Sequence, residues 1–358
     1  MGALNDNAIY AARPAIVVDG RENADLAAGL MSLAVSEDVN GVYRCEAEFG
    51  NWGARQGGLG FLYFDRAMLD FGKPLVIRLA GGTLFDGRIT ALEGVFPEGQ
   101  PPRLAVLAED RLQDLRMTRR TRSFADMSDA DVAQRIAQDH GLTPQVQLSG
   151  PTHKLLAQVN QSDLAFLRER ARLMGGELWV EGSTLNLKPR SGRAGGGAPF
   201  KLTWGAELRE FSVLADLAHQ RSKLTVGGWD VAGKQAIKED ADDAAISGEL
   251  DGGDGGPSIL QSALGARAEV LSHLAPRSSD EAHAQAEALF RLMARRFVVG
   301  RGTAQADSRM RVGARVELQG LGPLFNGKYT LVAVRHLFDL VRGIRSEFTA
   351  ERAALGKP

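Results

Sequence analysis

Six histidines are the first residues in this sequence that could carry chemistry, because imidazole binds metals and transfers protons near neutral pH. None lies at a metal-ligand spacing from another histidine or from a carboxylate motif. The single cysteine, Cys45, joins no Cys/His zinc pattern and cannot form an intramolecular disulfide. We therefore expect no bound metal, no cofactor, and ordinary surface or core positions for the histidines. They are His140, His153, His219, His273, His283 and His336.

Glycine-rich segments could in principle cradle phosphates or metals. Residues 57–60 (Gly-Gly-Leu-Gly) and 300–302 (Gly-Arg-Gly) lack the spacing of a dinucleotide-binding or phosphate-binding loop, so we interpret both as turns. Residues 251–256 (Asp-Gly-Gly-Asp-Gly-Gly) are similar to one unit of a calcium-binding repeat. Such sites depend on stacked repeats, and this pattern occurs once. We therefore expect no metal there.

A cluster of four arginines could in principle touch nucleic acid. No aromatic side chains are interleaved with them to stack on bases. The chain has 43 lysines and arginines against 44 aspartates and glutamates, so its net charge of -1 creates no global attraction for a polyanion. We interpret the cluster as a polar strand that leads into an inserted module or contacts a neighbouring chain, and we expect no specific nucleic-acid partner. The residues are Arg116, Arg119, Arg120 and Arg122.

The size and composition of the chain predict a globular protein of two or three domains. Its 358 residues exceed what one hydrophobic core usually organises, and 44% hydrophobic with 24% charged residues is the globular norm. No apolar run approaches the roughly 20 residues of a membrane span, so we expect no membrane insertion. The first residues lack a secretory pattern, and the single cysteine is typical of a reducing cytoplasm.

Residues 1–118 are predicted to form a first β-domain. Short β-type runs are separated by glycines and turn residues, without intervening amphipathic helices. This spacing argues against a parallel βαβ sheet and indicates a small barrel or sandwich. The runs lie at residues 15–18, 30–35, 42–49, 74–80, 84–95 and 103–108.

Residues 119–189 are predicted to form an inserted module of two helices and a hairpin. Ser128 followed by Asp131 is a helix N-terminal capping pattern, and apolar residues then recur at helical spacing as far as Gly141. A second helical pattern ends at two glycines, and two short strands follow it. The predicted elements are a helix at 128–141, a helix at about 162–174, and strands at 177–180 and 184–188.

A glycine-rich linker at 190–199, with nothing to bury, is predicted to be flexible and to precede a second β-domain at 200–358. Residues 239–256 contain seven carboxylates and no lysine or arginine, so we expect an exposed, mobile acidic loop. A helix is predicted at 279–298, because Ser278 begins a capping box before apolar residues at helical spacing. The β-type runs lie at 200–204, 208–214, 221–229, 315–318, 328–338 and 344–352.

Two segments of the chain are similar to each other. Residues 84–90 (Leu-Phe-Asp-Gly-Arg-Ile-Thr) and 324–330 (Leu-Phe-Asn-Gly-Lys-Tyr-Thr) agree at four of seven positions, and the other pairs are conservative. An alternating strand precedes each copy, so we interpret each as strand, turn, strand. Leu-Phe-Asx-Gly is also a common hairpin signal, and a short match alone does not prove duplication. Two like domains in a symmetric trimer would form a pseudo-six-fold ring.

Longer segments resemble a known family. Residues 160–167 (Asn-Gln-Ser-Asp-Leu-Ala-Phe-Leu), followed by 176–180 (Gly-Glu-Leu-Trp-Val), are similar to a segment of phage late control protein D and of type VI secretion spike proteins. Residues 311–320 (Arg-Val-Gly-Ala-Arg-Val-Glu-Leu-Gln-Gly), with 325–330 and 334–336, are similar to the closing domain of that family. The likeness covers most of the chain between residues 14 and 352, and the order and spacing of the motifs agree as well as their content.

The resemblance implies a fold class and a role. The expected fold is α+β and β-dominated, with two tube-type antiparallel β-barrel domains and the inserted helix-plus-hairpin module. The expected function is a structural baseplate hub of a contractile tail or contractile injection system. Such a hub is a homotrimer that adapts the hexameric inner tube to the trimeric spike and lines the central channel. It is not an enzyme, and it would assemble in the bacterial cytoplasm and reside in the baseplate of a phage tail or injection particle.

The resemblance also implies partners and interface residues. The expected partners are further copies of this chain, an inner-tube or tube-initiator protein, other baseplate components, cargo, and a separate spike protein, since the sequence ends without an OB-like domain or a β-helical needle. The expected interface or structural residues are Leu84, Phe85, Gly87, Leu324, Phe325, Gly327, Tyr329, Arg335 and His336. We expect His336 to serve in packing or inter-domain hydrogen bonding.

Two other function classes stay open. The helix-and-hairpin module at 119–189 is compatible with a cell-wall or peptidoglycan-binding tail module. An enzyme acting on the cell wall would need a convergent set of carboxylates or histidines, and the sequence shows no such set.

Overall fold

Strands dominate the structure, a computed structural model that describes residues 13–55, 57–193 and 199–357. Strand makes up 49% of the structure and helix 22%, which confirms the expectation of a β-dominated α+β protein. No helix within these described ranges has both the length and the apolar character needed to cross a membrane.

The strands and helices follow in chain order. The first part contains β1 (Ala15–Val18), β2 (Arg21–Glu22), α1 (Ala24–Gly29), β3 (Leu30–Asp38), β4 (Arg44–Gly50), β5 (Trp52–Arg55), β6 (Gly58–Phe61), β7 (Pro74–Leu79), β8 (Gly82–Val95), β9 (Arg103–Glu109) and α2 (Leu112–Arg116). The middle part contains β10 (Arg119–Ser128), α3 (Asp129–Asp139), β11 (Thr143–Val146), β12 (Thr152–Ser162), α4 (Asp163–Leu173), β13 (Gly176–Glu181), β14 (Thr184–Pro189) and α5 (Arg190–Arg193). The last part contains β15 (Phe200–Thr203), β16 (Leu208–Ala215), β17 (Lys223–Asp230), β18 (Gln235–Ala241), a 3-10 helix (Asp243–Glu249), β19 (Asp254–Gly255), α6 (Gly256–Leu264), β20 (Ala268–Leu271), α7 (Ser279–Ala294), β21 (Val298–Gln305), β22 (Arg315–Gln319), α8 (Gly322–Phe325), β23 (Gly327–Asp339), β24 (Gly343–Arg352) and β25 (Ala354–Leu355).

The chain divides into two compact units, each built from separate stretches of sequence. The first unit comprises residues up to 113 with 303–312 and 333–348, and the second comprises 114–302, 313–332 and 349–358. Strands β21, β23 and β24 therefore each supply residues to both units.

An antiparallel sheet organises the first unit. Its strands lie in the order β23, β3, β4, β9, β8, β7, β1 and β2. Every second residue of β4 and β9 is buried, as alternating strands require when one face packs on a core. Within the described residues this order does not return on itself, so the closed tube-type barrels implied by the resemblance are not observed. The sheet is open, and the expectation of two barrels is not supported by it.

The core of the first unit lies on one face of this sheet. Ile16 of β1, Phe49 of β4, Ile77 of β7 and Val106 of β9 are all fully buried in one hydrophobic cluster. Burying a side chain of this size contributes about 1.5–3 kcal/mol relative to leaving it exposed. These four strands are therefore held together by side-chain packing as well as by their backbone hydrogen bonds.

The similar segments at 84–90 and 324–330 have different structures. The first lies entirely within β8, and the turn that joins β7 to β8 comes earlier, at Ala80 and Gly81, which both have positive φ. Positive φ at two successive residues is the geometry of a tight hairpin turn. The second segment begins inside the short helix α8, which starts at Gly322 and has Pro323 in its first turn, where proline fits because it cannot donate to a strand ladder. The interpretation of both segments as strand, turn, strand was wrong about the turn, although each segment supplies a strand of an antiparallel pair.

The inserted module forms as its local signals predict. Ser128 and Asp131 make the reciprocal capping box that starts α3, and the hydroxyl of Ser162 accepts the N–H of Ala165 to start α4. Each helix ends before a glycine with positive φ, Gly141 or Gly175, where a side chain would be strained. Strands β13 and β14 form the predicted hairpin, and β11 pairs in parallel with β14.

Helix α7 forms the second large element of the second unit. The hydroxyl of Ser278 accepts the N–H of Glu281, which confirms the predicted start. Ala282, Ala286 and Phe290 lie on the buried stripe, against a sheet in which β17 lies between β18 and β20. The helix ends at Ala294, four residues before the predicted end at 298, and β21 begins at Val298.

The acidic stretch at 239–256 contains regular structure, contrary to the expectation of a mobile loop, although many of its residues are exposed as expected. It contains the end of β18, the 3-10 helix and β19, which pairs with β25. Ile246 is buried in the core of the second unit, and Glu249 forms a two-point ion pair with Arg295. One apolar anchor and one ion pair therefore fix a segment whose composition alone is typical of a loop.

The predicted linker at 190–199 is not flexible at its start. Residues 190–193 form α5, and Arg190 and Arg193 bind the two oxygens of Glu177 at 2.9 and 3.0 Å. The ion pairs of these arginines hold the start of the segment in place, although its glycine content favoured a flexible linker. Residues 194–198 of the predicted linker lie outside the described residues.

Candidate assembly surface

An exposed group of aromatic rings lies in the first unit around the hairpin of β5 and β6. Trp52 and Phe61 face each other across the two strands, with ring centroids 5.2 Å apart in an edge-to-face arrangement. Phe61 also stacks on Phe64 at 4.9 Å, and Phe64 contacts Phe96 at 5.7 Å. Trp52 is 44% exposed, Phe61 40%, Leu59 73% and Phe96 66%. We name these five side chains the aromatic hairpin.

Rings that pack against one another while remaining exposed form a preorganised apolar surface. Aromatic pairs contribute about 0.5–1.5 kcal/mol beyond the area they bury, so the cluster holds its shape without a partner. Contiguous exposed apolar surface is uncommon on monomeric proteins and marks sites of interaction, and aromatic residues are enriched there. The aromatic hairpin is therefore a surface suited to contact with another protein.

The base of the aromatic hairpin is fixed by one buried side chain. Asn51 lies immediately before β5, and its side-chain oxygen accepts the backbone N–H groups of Leu62 and Tyr63 at 2.9 and 2.7 Å. On the exposed side, Arg55 contacts Asp65 at 2.5 Å. The hydrogen bond from Arg55 lowers the pKa of that exposed carboxyl. Asn51 thus ties both ends of the hairpin to the same point of the unit.

The second unit presents an unpaired strand edge. Strands β10 and β12 form a two-stranded sheet, so in the described part of the chain β12 pairs only with β10. A groove of about 570 Å³ is lined by residues of β12, of α4 and of the stretch 274–281. Leu155 is 46% exposed and Val159 64% exposed on this strand. An unpaired edge with apolar side chains is a template for a strand from another chain.

A buried charge network closes the floor of this groove. Arg170 donates to Asp129 at 2.5 and 3.0 Å, and His153 Nε2 lies 2.9 Å from the same carboxylate. Burial opposes ionisation, but the hydrogen bonds from His153 and Arg170 outweigh it and hold the pKa of Asp129 below its ordinary value. Glu281 approaches His153 Nδ1 at 3.7 Å. The network therefore ties the inserted module to the start of α7, and its polar groups are directed at one another.

Two of the four arginines in the predicted basic cluster form ion pairs within the module. Arg120 and Arg122 of β10 contact the buried carboxylate of Asp163 at 3.2 and 2.8 Å, and His140 Nε2 lies 2.8 Å from it. Burial alone would raise the pKa of Asp163. The hydrogen bonds from His140 and Gln158 and the nearby arginines outweigh this effect and hold the pKa below its ordinary value, so the carboxyl is charged. This favours our interpretation of these arginines as a polar strand of the module.

His336 lies in the core of the first unit. Its Nδ1 lies 2.8 Å from the hydroxyl of Ser346, and its Nε2 lies 3.0 Å from the carbonyl oxygen of Met310. Burial, with the nearby charge of Arg311, lowers the pKa of His336 to about 4. The ring is therefore neutral at physiological pH and joins β23, β24 and residue 310. In the described residues no three His, Cys, Asp or Glu side chains are placed to share a metal ion.

The model of one protein family matches most of the chain. The family is described as the Alg8 N-terminal domain, and the match covers residues 14–339. The chain belongs to this Alg8 N-terminal domain family. The matched range contains the aromatic hairpin, the free edge of β12 and His336. No curated protein sequence matches the chain.

Solved structures share the fold of this Alg8 N-terminal domain chain over nearly its whole length. The 43 kDa tail protein of prophage MuSo2 from Shewanella oneidensis has a TM-score of 0.67 at 13% identity, and the match covers 95% of this chain and 98% of that one. A tail protein from Neisseria meningitidis MC58 has a TM-score of 0.65 at 13% identity, covering 95% and 96%. An Escherichia coli component of the type VI secretion system has a TM-score of 0.54 at 13% identity, covering 98% and 78%. The chain therefore has a phage-tail-type fold.

The residues predicted at interfaces occupy several different environments. Leu84 and Phe85 are buried in the core of the first unit, and Tyr329 is buried in the second. Gly87 cannot carry a side chain, because a Cβ there would lie 2.3 Å from the carbonyl oxygen of Glu109. Their role at an interface stays a prediction. The remaining predicted residues are Leu324, which is exposed, Phe325 and Gly327, which are partly buried, Arg335, which is exposed, and His336, which is buried.

The aromatic hairpin was missed by sequence reasoning. Trp52 and Phe61 lie in short strands that the sequence pattern did not resolve, since glycines at 53, 57, 58 and 60 favoured a turn. A usable signal was present: three aromatic residues lie at 61, 63 and 64 beside a glycine-rich hairpin that has little else to bury. Phe96 could not have been added, because its contact with Phe64 depends on the tertiary fold.

Proposed function

We propose that this protein is a structural baseplate hub, related to late control protein D, in a contractile tail or contractile injection system. Three copies would form a homotrimer that adapts a hexameric inner tube to a trimeric spike and lines the central channel. The protein would act by shape and contact and not as an enzyme. The observation that carries this proposal is the aromatic hairpin, exposed on a fold shared with phage tail proteins.

A trimer gives the aromatic hairpin a partner. A closed ring buries one patch of each copy against a different patch of the next, so a single exposed surface is used three times. Aromatic residues in the centre of such a contact usually supply most of its binding energy. We expect the neighbouring copy to cover Trp52 and Phe61, and a strand of another chain to extend the sheet at the free edge of β12.

The other partners follow from the same role. A hub contacts an inner-tube or tube-initiator protein on one side and a separate spike protein on the other, with further baseplate components and cargo nearby. Such a protein would assemble in the bacterial cytoplasm and remain in the baseplate of the particle.

The trimer is tested by measuring the mass of the purified chain and of one double variant. We expect the wild-type protein to have three times the mass of one chain by light scattering or mass photometry. Trp52→Ser combined with Phe61→Ser should give monomers of unchanged circular dichroism, because neither ring belongs to the buried core cluster of the first unit. The matched control is Phe71→Ser, which removes another exposed aromatic ring outside the aromatic hairpin and should leave a trimer.

A monomeric wild type, both alone and when co-expressed with tube and spike proteins, would overturn the hub proposal. A double variant that remains trimeric would show that the aromatic hairpin is not the contact.

The groove along β12 favours one second candidate, a cell-wall-binding tail module. The groove opens in the inserted module and combines charged and apolar side chains. Co-sedimentation of the full chain with purified peptidoglycan tests this candidate directly. Absence of binding by the wild type would exclude it.

A further inference from the structure

A small cavity in the second unit is lined by more cations than carboxylates. Its volume is about 220 Å³, and its lining includes five Lys or Arg side chains against three Asp or Glu side chains. All of these residues belong to the second unit. The lining therefore carries an excess of two positive charges when these groups are ionised.

Two of the three carboxylates are already engaged by two of the cations. Glu249 accepts hydrogen bonds from Arg295 at 2.7 and 2.5 Å. Glu351 is bound by Arg190, which also contacts Glu177 at 2.9 Å. The second oxygen of Glu177 is bound by Arg193. Glu177 and Arg193 do not line the cavity, and their charges cancel. The excess positive charge thus resides on the other lining cations.

Those cations are Arg315, Lys328 and Arg352, which we name the basic triad. Arg315 and Lys328 share one carboxylate, Asp251, at 3.4 and 3.7 Å, both longer than the contacts of the engaged pairs. Arg352 contacts no carboxylate in the described part of the chain, and its Nη1 donates to the carbonyl oxygen of Asn326 at 2.8 Å. Two cations therefore share a single, loosely held acid, and the third, Arg352, contacts a carbonyl oxygen and the ring of Tyr329.

The backbone places these like charges together. In the β22–β23 register, Glu317 lies opposite Lys328 and Arg315 lies opposite Thr330, so Arg315 and Lys328 are diagonal neighbours on one face. The guanidinium of Arg352 reaches the first residue of β23, next to Lys328. Arg315 and Lys328 line the cavity, whereas Glu317 does not. The Thr330 hydroxyl also lines the cavity and can donate a hydrogen bond.

We propose that the basic triad binds a small multivalent oxyanion, with inorganic phosphate as the simplest example. Arginine forks present paired N–H groups that match phosphate oxygens, and lysine adds a point charge. Asp251 competes with such an anion, because its carboxylate pairs with Arg315 and Lys328 when no external anion is bound. A bound anion would cross-link β22, β23 and β24 within the second unit. This proposal does not depend on the hub function.

Calorimetric titration of the full chain with phosphate tests the proposal, with sodium chloride holding the ionic strength constant. We expect saturable binding to the wild type and a rise in its melting temperature with phosphate concentration. Lys328→Gln or Arg352→Gln should weaken binding about tenfold, as expected when one charged hydrogen bond of about 1.4 kcal/mol is lost. Arg209→Gln, an exposed arginine of β16 outside the cavity, is the matched control and should bind like the wild type.

Asp251→Asn provides a variant with the opposite expected sign. Removing the competing carboxylate should tighten phosphate binding several-fold, and this result cannot be produced by a variant that merely folds poorly. Failure of the wild type to bind phosphate would overturn the proposal. It would also be overturned if Asp251→Asn bound no more tightly than the wild type, or if Lys328→Gln bound equally well.

Discussion

At the scale of single residues, two deeply buried carboxylates in the second unit each have several internal partners. Asp163 is held by Arg120, Arg122 and His140, and Asp129 is held by Arg170 and His153. Removing one partner of such a group leaves an uncompensated buried charge, which costs far more than losing an exposed ion pair. Arg120 and Arg122 are therefore better explained by packing inside the module than by an external polyanion.

These residue networks could not be predicted from the sequence. The partners of Asp163 lie 23 to 43 positions away along the chain, on a different strand and a different helix end. Sequence patterns detect residues that are neighbours within one helix turn or one strand, and no such spacing joins these groups. Only the local part of the network, the position of Asp163 at the start of a helix, was visible.

His336 gives the protein a specific dependence of stability on pH. Its pKa falls from an ordinary 6.5 to about 4 in the folded protein, because burial and the charge of Arg311 oppose protonation. Between these values the unfolded chain binds more protons than the folded chain, so acid favours unfolding. The contribution of His336 to the free energy of unfolding should be complete above pH 6.5. It should fall by about 3 kcal/mol as the pH approaches 4.

Urea unfolding at a series of pH values measures this effect in the wild type and in His336→Gln. The variant lacks the titrating ring and should lose the corresponding slope between pH 6.5 and 4, while carboxylates elsewhere act equally on both proteins. An identical pH slope in the two proteins would contradict the assignment to His336.

At the scale of elements, the three helices capped by a serine were predicted well, whereas α1, which Asn23 caps, was not predicted. Ser128, Ser162 and Ser278 each accept a backbone N–H at the start of a helix, and this signal depends only on residues within one turn. The element at 322–325 was mispredicted, because Pro323 selects a helical turn where the pattern favoured a hairpin. The acidic stretch was mispredicted because its structure depends on the burial of Ile246 and on the ion pair of Glu249 with Arg295, and both form only when the chain has folded.

The hairpin of β5 and β6 depends on Asn51 for its position. Asn51→Ala removes two hydrogen bonds to the far end of the hairpin and should lower the free energy of unfolding by about 2 kcal/mol, near 1 kcal/mol for each bond. Backbone amides of β5 and β6 should exchange faster with deuterium in this variant, because the hairpin opens locally.

Asn40→Ala is the control for this measurement, since Asn40 is exposed between β3 and β4 and its side chain makes no hydrogen bond to another element within the described residues. Unchanged exchange across residues 52–61 in Asn51→Ala would show that Asn51 does not hold the hairpin.

At the scale of the whole molecule, the β-dominated α+β class was predictable and the assembly of each unit was not. Periodicity and turn residues indicated strands in both halves of the chain, with a mixed module between them. The first unit, however, recruits residues 303–312 and 333–348 from the far end of the chain. Long-range pairing of this kind, such as β3 with β23, leaves no local trace in the sequence.

The fold itself is retained where sequence identity is low. Tail proteins with 13% identity match 95% of this chain, so the arrangement of buried and exposed positions, and not the individual residues, carries the architecture. Surface features such as the aromatic hairpin and the basic triad are set by individual residues. They are therefore the parts of the molecule whose functions require direct experiments.

The central claim is that this chain is the trimeric hub between a tube and a spike. The most direct measurement is the subunit stoichiometry of a complex purified through a tag on this chain after co-expression with its tube and spike proteins, determined by native mass spectrometry. We predict three copies of this chain with six tube subunits in the adjoining ring and three spike chains. A complex that contains a single copy of this chain, or no complex with either protein, would contradict the proposed role.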